Sequence, residues 1–270
     1  MWKRIVLVLC ILLVLSGCQG ESLDNEGVYY QKIDVREVGQ NYNPLALYAY
    51  QLLCCNDQMY TSALHYQASD KECLNSDIIL GDEIGIVYGN HCLFWSTDKE
   101  KLLESTGEGK IYQINGYDES FRIAVCYETT LPYTDTQTLY NIVVFEHLND
   151  ITLKKGSELY EDRFHLPEAV TVRGEMKDEG VLCELSTEEE TIKEFLNAMN
   201  KGIFLNKHDE EYPSLDSYQG YPLSFYDSMG LIISIMVYEE GYVSMEQRLR
   251  DAFVLKMDEK QCKNIIEKMY

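Results

Sequence analysis

"KIYQINGYDESFRIAVCYE" (Lys110–Glu128) reads as two strands around a turn. Phe121, Ile123 and Val125 alternate with Arg122 and Ala124, which gives one core face and one wetter face. Between the two runs, "NGYDES" (Asn115–Ser120) gathers the residues that favour tight turns. The same signature recurs on either side of this hairpin. "DEIGIVYG" (Asp82–Gly89), "HCLFWS" (His91–Ser96) and "LYNIVVFEH" (Leu139–His147) are strand-like runs separated by Gly, Asn and Asp. Further upstream, Asn56-Asp57 lies between two runs rich in Tyr, Leu and Thr and reads as another hairpin turn. Asn43-Pro44 is also a helix-start signal, but the β-prone runs that follow favour strands. Residues 41–166 are therefore expected to form a mostly antiparallel β domain, a small barrel or sandwich.

The C-terminal part carries helix signals as well. Ser186 with Glu189 has capping-box spacing. Ile192, Phe195, Leu196 and Met199 then fall on one helical face, and Gly202 ends the helix. "YPLSFYD" and "LIISIMVYEE" flank Ser228-Met229-Gly230 as a hairpin, Gly241 turns the chain into "YVSM", and "AFVLKM" is a further strand. A last helix opens at Asp258, with Gln261 in capping-box position, and buries Cys262, Ile265, Ile266 and Met269. Residues 184–270 are expected as an α+β domain with helices packed on an antiparallel sheet. The stretch "LPEAVTVRGEMKDEG" mixes Pro, Gly and alternating charge, so residues 167–183 are read as a linker or an edge strand.

The N-terminus is an address. Lys3 and Arg4 precede an unbroken apolar run from Ile5 to Leu15. As a helix this run would reach about 16 Å, against roughly 30 Å of hydrocarbon, so it is too short for a permanent span and has the layout of a signal peptide. Its end, Leu15-Ser16-Gly17-Cys18, resembles the bacterial lipobox. That resemblance implies a diacylglycerol on the Cys18 thiol, cleavage before Cys18 and anchoring of the mature N-terminus by its acyl chains. Residues 1–17 are thus expected as a lipoprotein signal peptide and residues 18–40, polar and irregular, as a tether.

Twenty-three Lys+Arg stand against 45 Asp+Glu, a formal net charge of -22, and loss of Lys3 and Arg4 makes the mature chain more acidic still. Such a chain is repelled by nucleic acid and by anionic bilayers, so neither is an expected partner. Hydrophobic content of 46%, with 21 tyrosines and five prolines, argues for folded domains and against disorder. Once Cys10 leaves with the signal and Cys18 takes the lipid, seven of the nine cysteines remain, an odd number with no C-x-x-C pair. Cys126 follows Ile123-Ala124-Val125 and Cys262 lies on an apolar helix stripe; most of the seven read as small buried hydrophobes.

"LGDEIGIVYGN" (Leu80–Asn90), "GEGKIYQINGYDESFRIAV" (Gly107–Val125), "ELYEDRFHL" (Glu158–Leu166) and the closing "YEEGYVSM" and "AFVLKM" together resemble a group of exported lipoproteins from low-GC Gram-positive bacteria, many from the gut. The resemblance spans most of the mature chain. It rests on hairpin glycines, strand alternation and aromatic positions, and it implies the fold and an extracellular, membrane-anchored location. It implies no chemistry, so no catalytic residue is carried over from it.

The residues themselves offer few chemical motifs. "TGEGKI" (Thr106–Ile111) lacks the G-x-x-x-x-G-K-[ST] spacing of a phosphate loop and reads as a turn leading into a strand. "YEDRFH" (Tyr160–His165) packs Glu161, Asp162, Arg163 and His165 into six residues and reads as a charged edge segment, with Arg163 paired to a neighbouring carboxylate. His65, His91, His147, His165 and His208 show no metal-ligand spacing. Asp209-Glu210-Glu211 and Glu188-Glu189-Glu190 lack a calcium-loop pattern, and the latter suit the first turn of a helix. Tyr29, Tyr30, Tyr42, Tyr48, Tyr50, Tyr60 and Tyr66 crowd the start of the first domain, where aromatics serve core packing or stack on a sugar or partner surface. No catalytic residue, metal ligand or cofactor is expected. The leading expectation is a membrane-anchored cell-surface lipoprotein, a non-enzymatic binding or interaction module for a protein or glycan partner. The alternatives are an extracellular hydrolase with a site assembled from dispersed residues, and an accessory subunit of a membrane transporter or sensor.

Overall fold

The computed structural model describes residues 27–33, 51–56, 58–69, 80–90, 93–95, 107–130, 138–176, 180–227, 230–245 and 252–270. A short β1 (Val28–Tyr30) precedes β2 (Leu52–Cys55), β3 (Gln58–Ala68), β4 (Leu80–Asn90), β5 (Leu93–Trp95), β6 (Gly107–Ile114), β7 (Arg122–Thr130) and β8 (Thr138–Glu146). The last seven close into a barrel in the order β2-β3-β8-β7-β6-β4-β5. All neighbours are antiparallel except at the seam, where β2 runs parallel to β5.

Alternation in β7 separates two faces as expected, but the face expected to be wetter is buried as well, with Arg122 3% and Ala124 0% exposed. Ile123 and Val125 join Leu53, Val87, Ile111, Val143 and Phe145 in one buried cluster that fills the barrel. Ala124 belongs with Ile114, Ile142 and Val144 in a second cluster on the outer face. The expected turn at Asn115–Ser120 forms: Gly116 takes a positive φ of 89°, and the Asp118 carboxylate accepts from the Ser120 N–H at 2.8 Å. At the β2–β3 hairpin, Asn56 supplies the left-handed residue, with φ 51°.

The chain continues through β9 (Ile151–Leu153), the single turn α1 (Ser157–Tyr160), β10 (Thr171–Met176), β11 (Gly180–Ser186), α2 (Glu190–Lys201), β12 (Ile203–Phe204), β13 (Gly220–Asp227), β14 (Gly230–Tyr238), β15 (Tyr242–Met245), β16 (Phe253–Lys256) and α3 (Glu259–Met269). Seven of these strands form an antiparallel sheet ordered β11-β10-β13-β14-β15-β16-β12, and β9 pairs back with β1. The fold is α+β with a β-rich N-terminal part. Helices α2 and α3 pack on each other, and α3 lies on β14 and β11. Ile192, Phe195, Leu196 and Met199 of α2 and Cys262, Ile265, Ile266 and Met269 of α3 are the buried faces the sequence periodicity predicts.

Four local readings are refined by the structure. Residues 167–183 hold most of the β10–β11 hairpin, and β11 is the sheet's edge strand. Residues 148–169 leave the barrel: Leu148, Leu153, Leu159, Phe164 and Leu166 pack into the core of the second sheet, because their apolar side chains find the helices and not the barrel interior. Ser186 does not cap a helix; it is held in the β10–β11 ladder opposite Thr171, and α2 starts after Glu189, which makes no side-chain cap. Gly202 ends α2 with an ordinary φ of -58°, so a left-handed turn is not its reason. A Cβ there would come within 2.8 Å of Leu255, so the glycine lets β16 approach.

At α3 the Asp258 carboxylate accepts from the N–H groups of Lys260 and Gln261, at 2.8 and 3.3 Å. The reciprocal half of the expected capping box is missing, since the buried Gln261 Oε1 has no partner.

Candidate functional site

Between the barrel and the second sheet lies a buried ion pair. Arg122 and Glu146 oppose each other across β7 and β8, with side chains only 4% and 8% exposed. The guanidinium donates to Glu146 Oε1 from Nε at 2.9 Å, donates from Nη2 to the Ile232 carbonyl at 2.6 Å, and sits 4.7 Å above the Tyr117 ring. Burial pushes the Glu146 carboxyl above its ordinary value, against the opposing pull of Arg122. This buried pair joins the barrel to the second sheet, so its chemistry is structural.

One end of the barrel is polar. Asn141, only 2% exposed, points inward from β8. Its Oδ1 accepts from Gln67 Nε2 at 2.8 Å and faces His65 Nε2 at 3.0 Å, while its Nδ2 donates to Thr129 Oγ1 at 3.1 Å. Because Asn141 Oδ1 is an acceptor here, the His65 proton sits on Nε2. Gln51 Nε2 completes this end with a hydrogen bond to the Tyr127 hydroxyl at 3.0 Å.

The outer face of the barrel carries a groove of about 480 Å³. Strand register builds it in rows. Ile86 of β4 pairs with Lys110 of β6, Lys110 with Cys126 of β7, Cys126 with Ile142 of β8, and Ile142 with Tyr66 of β3. One row along, Tyr88 pairs with Glu108, and Glu128 with Tyr140. On the other side Tyr112 pairs with Ala124, and Ala124 with Val144. Leu80, Tyr112, Cys126, Tyr140 and Ile142 give the groove an aliphatic floor and tyrosine walls, with Glu108, Lys110 and Glu128 at its rim. Lys110 Nζ is 2.7 Å from Glu83 Oε2, and that carboxylate holds the ammonium above its ordinary pKa. Beside the groove, Ile84, Ile86 and Tyr88 stand 38–40% exposed, an apolar extension of the same surface.

The residues singled out from sequence are scattered. Cys18, Tyr42, Tyr48, Tyr50, His91, Cys73 and Cys92 lie outside the described residues. Tyr30 and Tyr60 are core residues, Tyr29 is exposed and donates to Asp150 at 2.8 Å, and Tyr66 borders the outer face. "YEDRFH" is not a charged sheet-edge segment: it runs out of α1 through a turn, burying Tyr160 and Phe164 and leaving His165 at φ 53°. Arg163 stacks over the Phe121 ring at 5.7 Å, and Glu161 accepts from Asn200 at 2.8 Å. His208 is exposed in a turn. Residues 107–110 of "TGEGKI" are already strand, where Gly109 leaves room for Val87 inside the barrel. Cys55 and Cys262 are buried, and burial pushes the Cys262 thiol up to about 12.

The groove residues were missed because no spacing rule links them. One signal was present: "YNIVVF" in β8 is apolar on both faces, more than a half-wet strand needs. Among the described residues no cluster of His, Cys, Asp and Glu could hold a metal ion, and no helix is long and apolar enough to cross a membrane. No protein-family model, curated protein or solved structure matches the chain.

Proposed function

We propose that the chain is an exported lipoprotein, held through a lipid on Cys18 at the outer face of the cytoplasmic membrane, and that it works as a binding module through the groove on its barrel. The groove is the observation that carries the binding reading. It is a concave surface with an aliphatic floor and polar groups converging at its rim and walls, the usual character of a ligand site. Support for the anchor is the Leu15-Ser16-Gly17-Cys18 sequence behind a charged and apolar leader.

Two experiments test this reading. In cells fed labelled fatty acid, the wild-type chain takes up label and Cys18→Ala does not; continued labelling of the variant removes the anchor. For the binding module, a thermal-shift screen of the detergent-solubilised chain against glycans, wall fragments and peptides is the direct measurement. A ligand at 100 times its Kd adds about 2.7 kcal/mol of stability, which moves the melting point of a chain this size by several degrees, at roughly 2–4 °C per kcal/mol. Tyr140→Ala should abolish the shift, and a ligand whose shift survives that change binds elsewhere.

A further inference from the structure

The row Tyr88–Glu108–Glu128–Tyr140 sets two carboxylates side by side between two tyrosines. Gly109 pairs with Tyr127, so Glu108 and Glu128, one step further along β6 and β7, are cross-strand neighbours on the outer face. Like charges in that relation destabilise a sheet unless a cation sits with them. Among the described residues neither carboxylate forms a close ion pair; the rim ammonium of Lys110 pairs with Glu83 at 2.7 Å and feels Glu108 only more weakly. Tyr88 and Tyr140 flank the two acids and offer ring faces of the kind that attract organic cations. Immediately below them lies the aliphatic floor of Cys126 and Ile142 with the Tyr112 wall.

We infer that the groove takes a short basic peptide segment. A Lys or Arg head group sits between Glu108 and Glu128, and a neighbouring apolar side chain lies on Cys126, Ile142 and Tyr112. This rests on the binding-module reading and names its ligand class. Besides Glu108, Lys110 and Glu128 at the rim, the polar lining is Asn141, whose amide is engaged by Gln67 and Thr129, and the Tyr112, Tyr127 and Tyr140 hydroxyls, so the carboxylate pair favours a cationic ligand over a hydroxyl-rich sugar. A volume of about 480 Å³ accommodates a few side chains of an extended segment. The net charge of -22 adds long-range attraction for a basic partner.

The test uses the full-length chain in detergent and three fluorescent peptides of equal length, in which Leu alternates with Lys, Ser or Glu. Anisotropy should show the Lys/Leu peptide binding best, more weakly at higher salt. Glu108→Gln combined with Glu128→Gln should weaken the Lys/Leu peptide about tenfold and leave the Ser/Leu peptide unchanged. Tyr140→Ala should weaken both. These carboxylates are exposed, so the variants keep the fold, which the melting curve verifies. Equal binding of Lys/Leu and Ser/Leu peptides, with no response to the double Gln variant, overturns the cation assignment and leaves the groove a binding site. Preference for a chitooligosaccharide over every peptide, sensitive to Tyr140→Ala, overturns the peptide. If no probe binds and Tyr140→Ala changes nothing, the inference and the binding reading fall together.

Discussion

Arg122 and Glu146 face each other across two barrel strands, both buried, while the same guanidinium reaches out of the barrel to the Ile232 carbonyl in the second sheet. The barrel and the α+β part are therefore joined through a charge that cannot be left alone. Removing one member strands the other in a low-dielectric site, which costs about 3–5 kcal/mol. Glu146→Ala is expected to lose that much in urea unfolding. Combining Arg122→Met with Glu146→Leu should lose less than Glu146→Ala, because the double change leaves no buried charge. A double variant no more stable than Glu146→Ala would show that losing the Arg122 bond to the Ile232 carbonyl costs at least as much as stranding the Arg122 charge.

The two expected capping boxes give a paired comparison. Asp258 holds the N–H groups of Lys260 and Gln261, whereas Ser186 is a strand residue whose hydroxyl accepts only from the Glu188 N–H, at 3.3 Å. Asp258→Ala should cost about 1 kcal/mol. Ser186→Ala should stay within about 0.5 kcal/mol, as exposed substitutions do. Equal losses, read from the urea midpoints at constant slope, would mean that Ser186 caps α2 after all.

That contrast shows where the sequence is legible. Both segments carry the same local signal, yet only Asp258 lies outside a ladder. Ser186 is bound opposite Thr171, and the strand pairing overrides the local preference. The alternation of Ile123 and Val125 with Arg122 and Ala124 was readable because the two faces of a strand are fixed by its own period. Closure of the barrel was not, since it depends on Leu52, Leu53 and Cys54 meeting Leu93, Phe94 and Trp95 in parallel across a long stretch of chain. The groove needs the registers of β4, β6, β7 and β8 at once. Tyr88, Glu108, Glu128 and Tyr140 therefore become a row only when four strands are aligned.

His147 supplies a pH dependence. It follows β8, donates its backbone N–H to the Phe121 carbonyl at 2.8 Å and packs its ring 5.4 Å from that of Tyr60. Burial, and then the positive Arg163 nearby, hold its pKa below the ordinary 6.5. A histidine depressed in the folded state contributes stability that is present above the unfolded value and lost as pH falls through the folded one, because the unfolded ring takes up its proton first. Stability should therefore drop as pH is lowered from about 7.5 towards 5, above the ordinary carboxylate range; Glu146, raised by burial, is common to the wild type and the His147→Asn variant. His147→Asn cannot bind that proton, so its stability should fall less over the same range even if it starts lower. Urea unfolding of both proteins across those pH values decides the point. Parallel curves would show that the imidazole has the same proton affinity folded and unfolded, and that its burial beneath Tyr60 exerts no electrostatic cost.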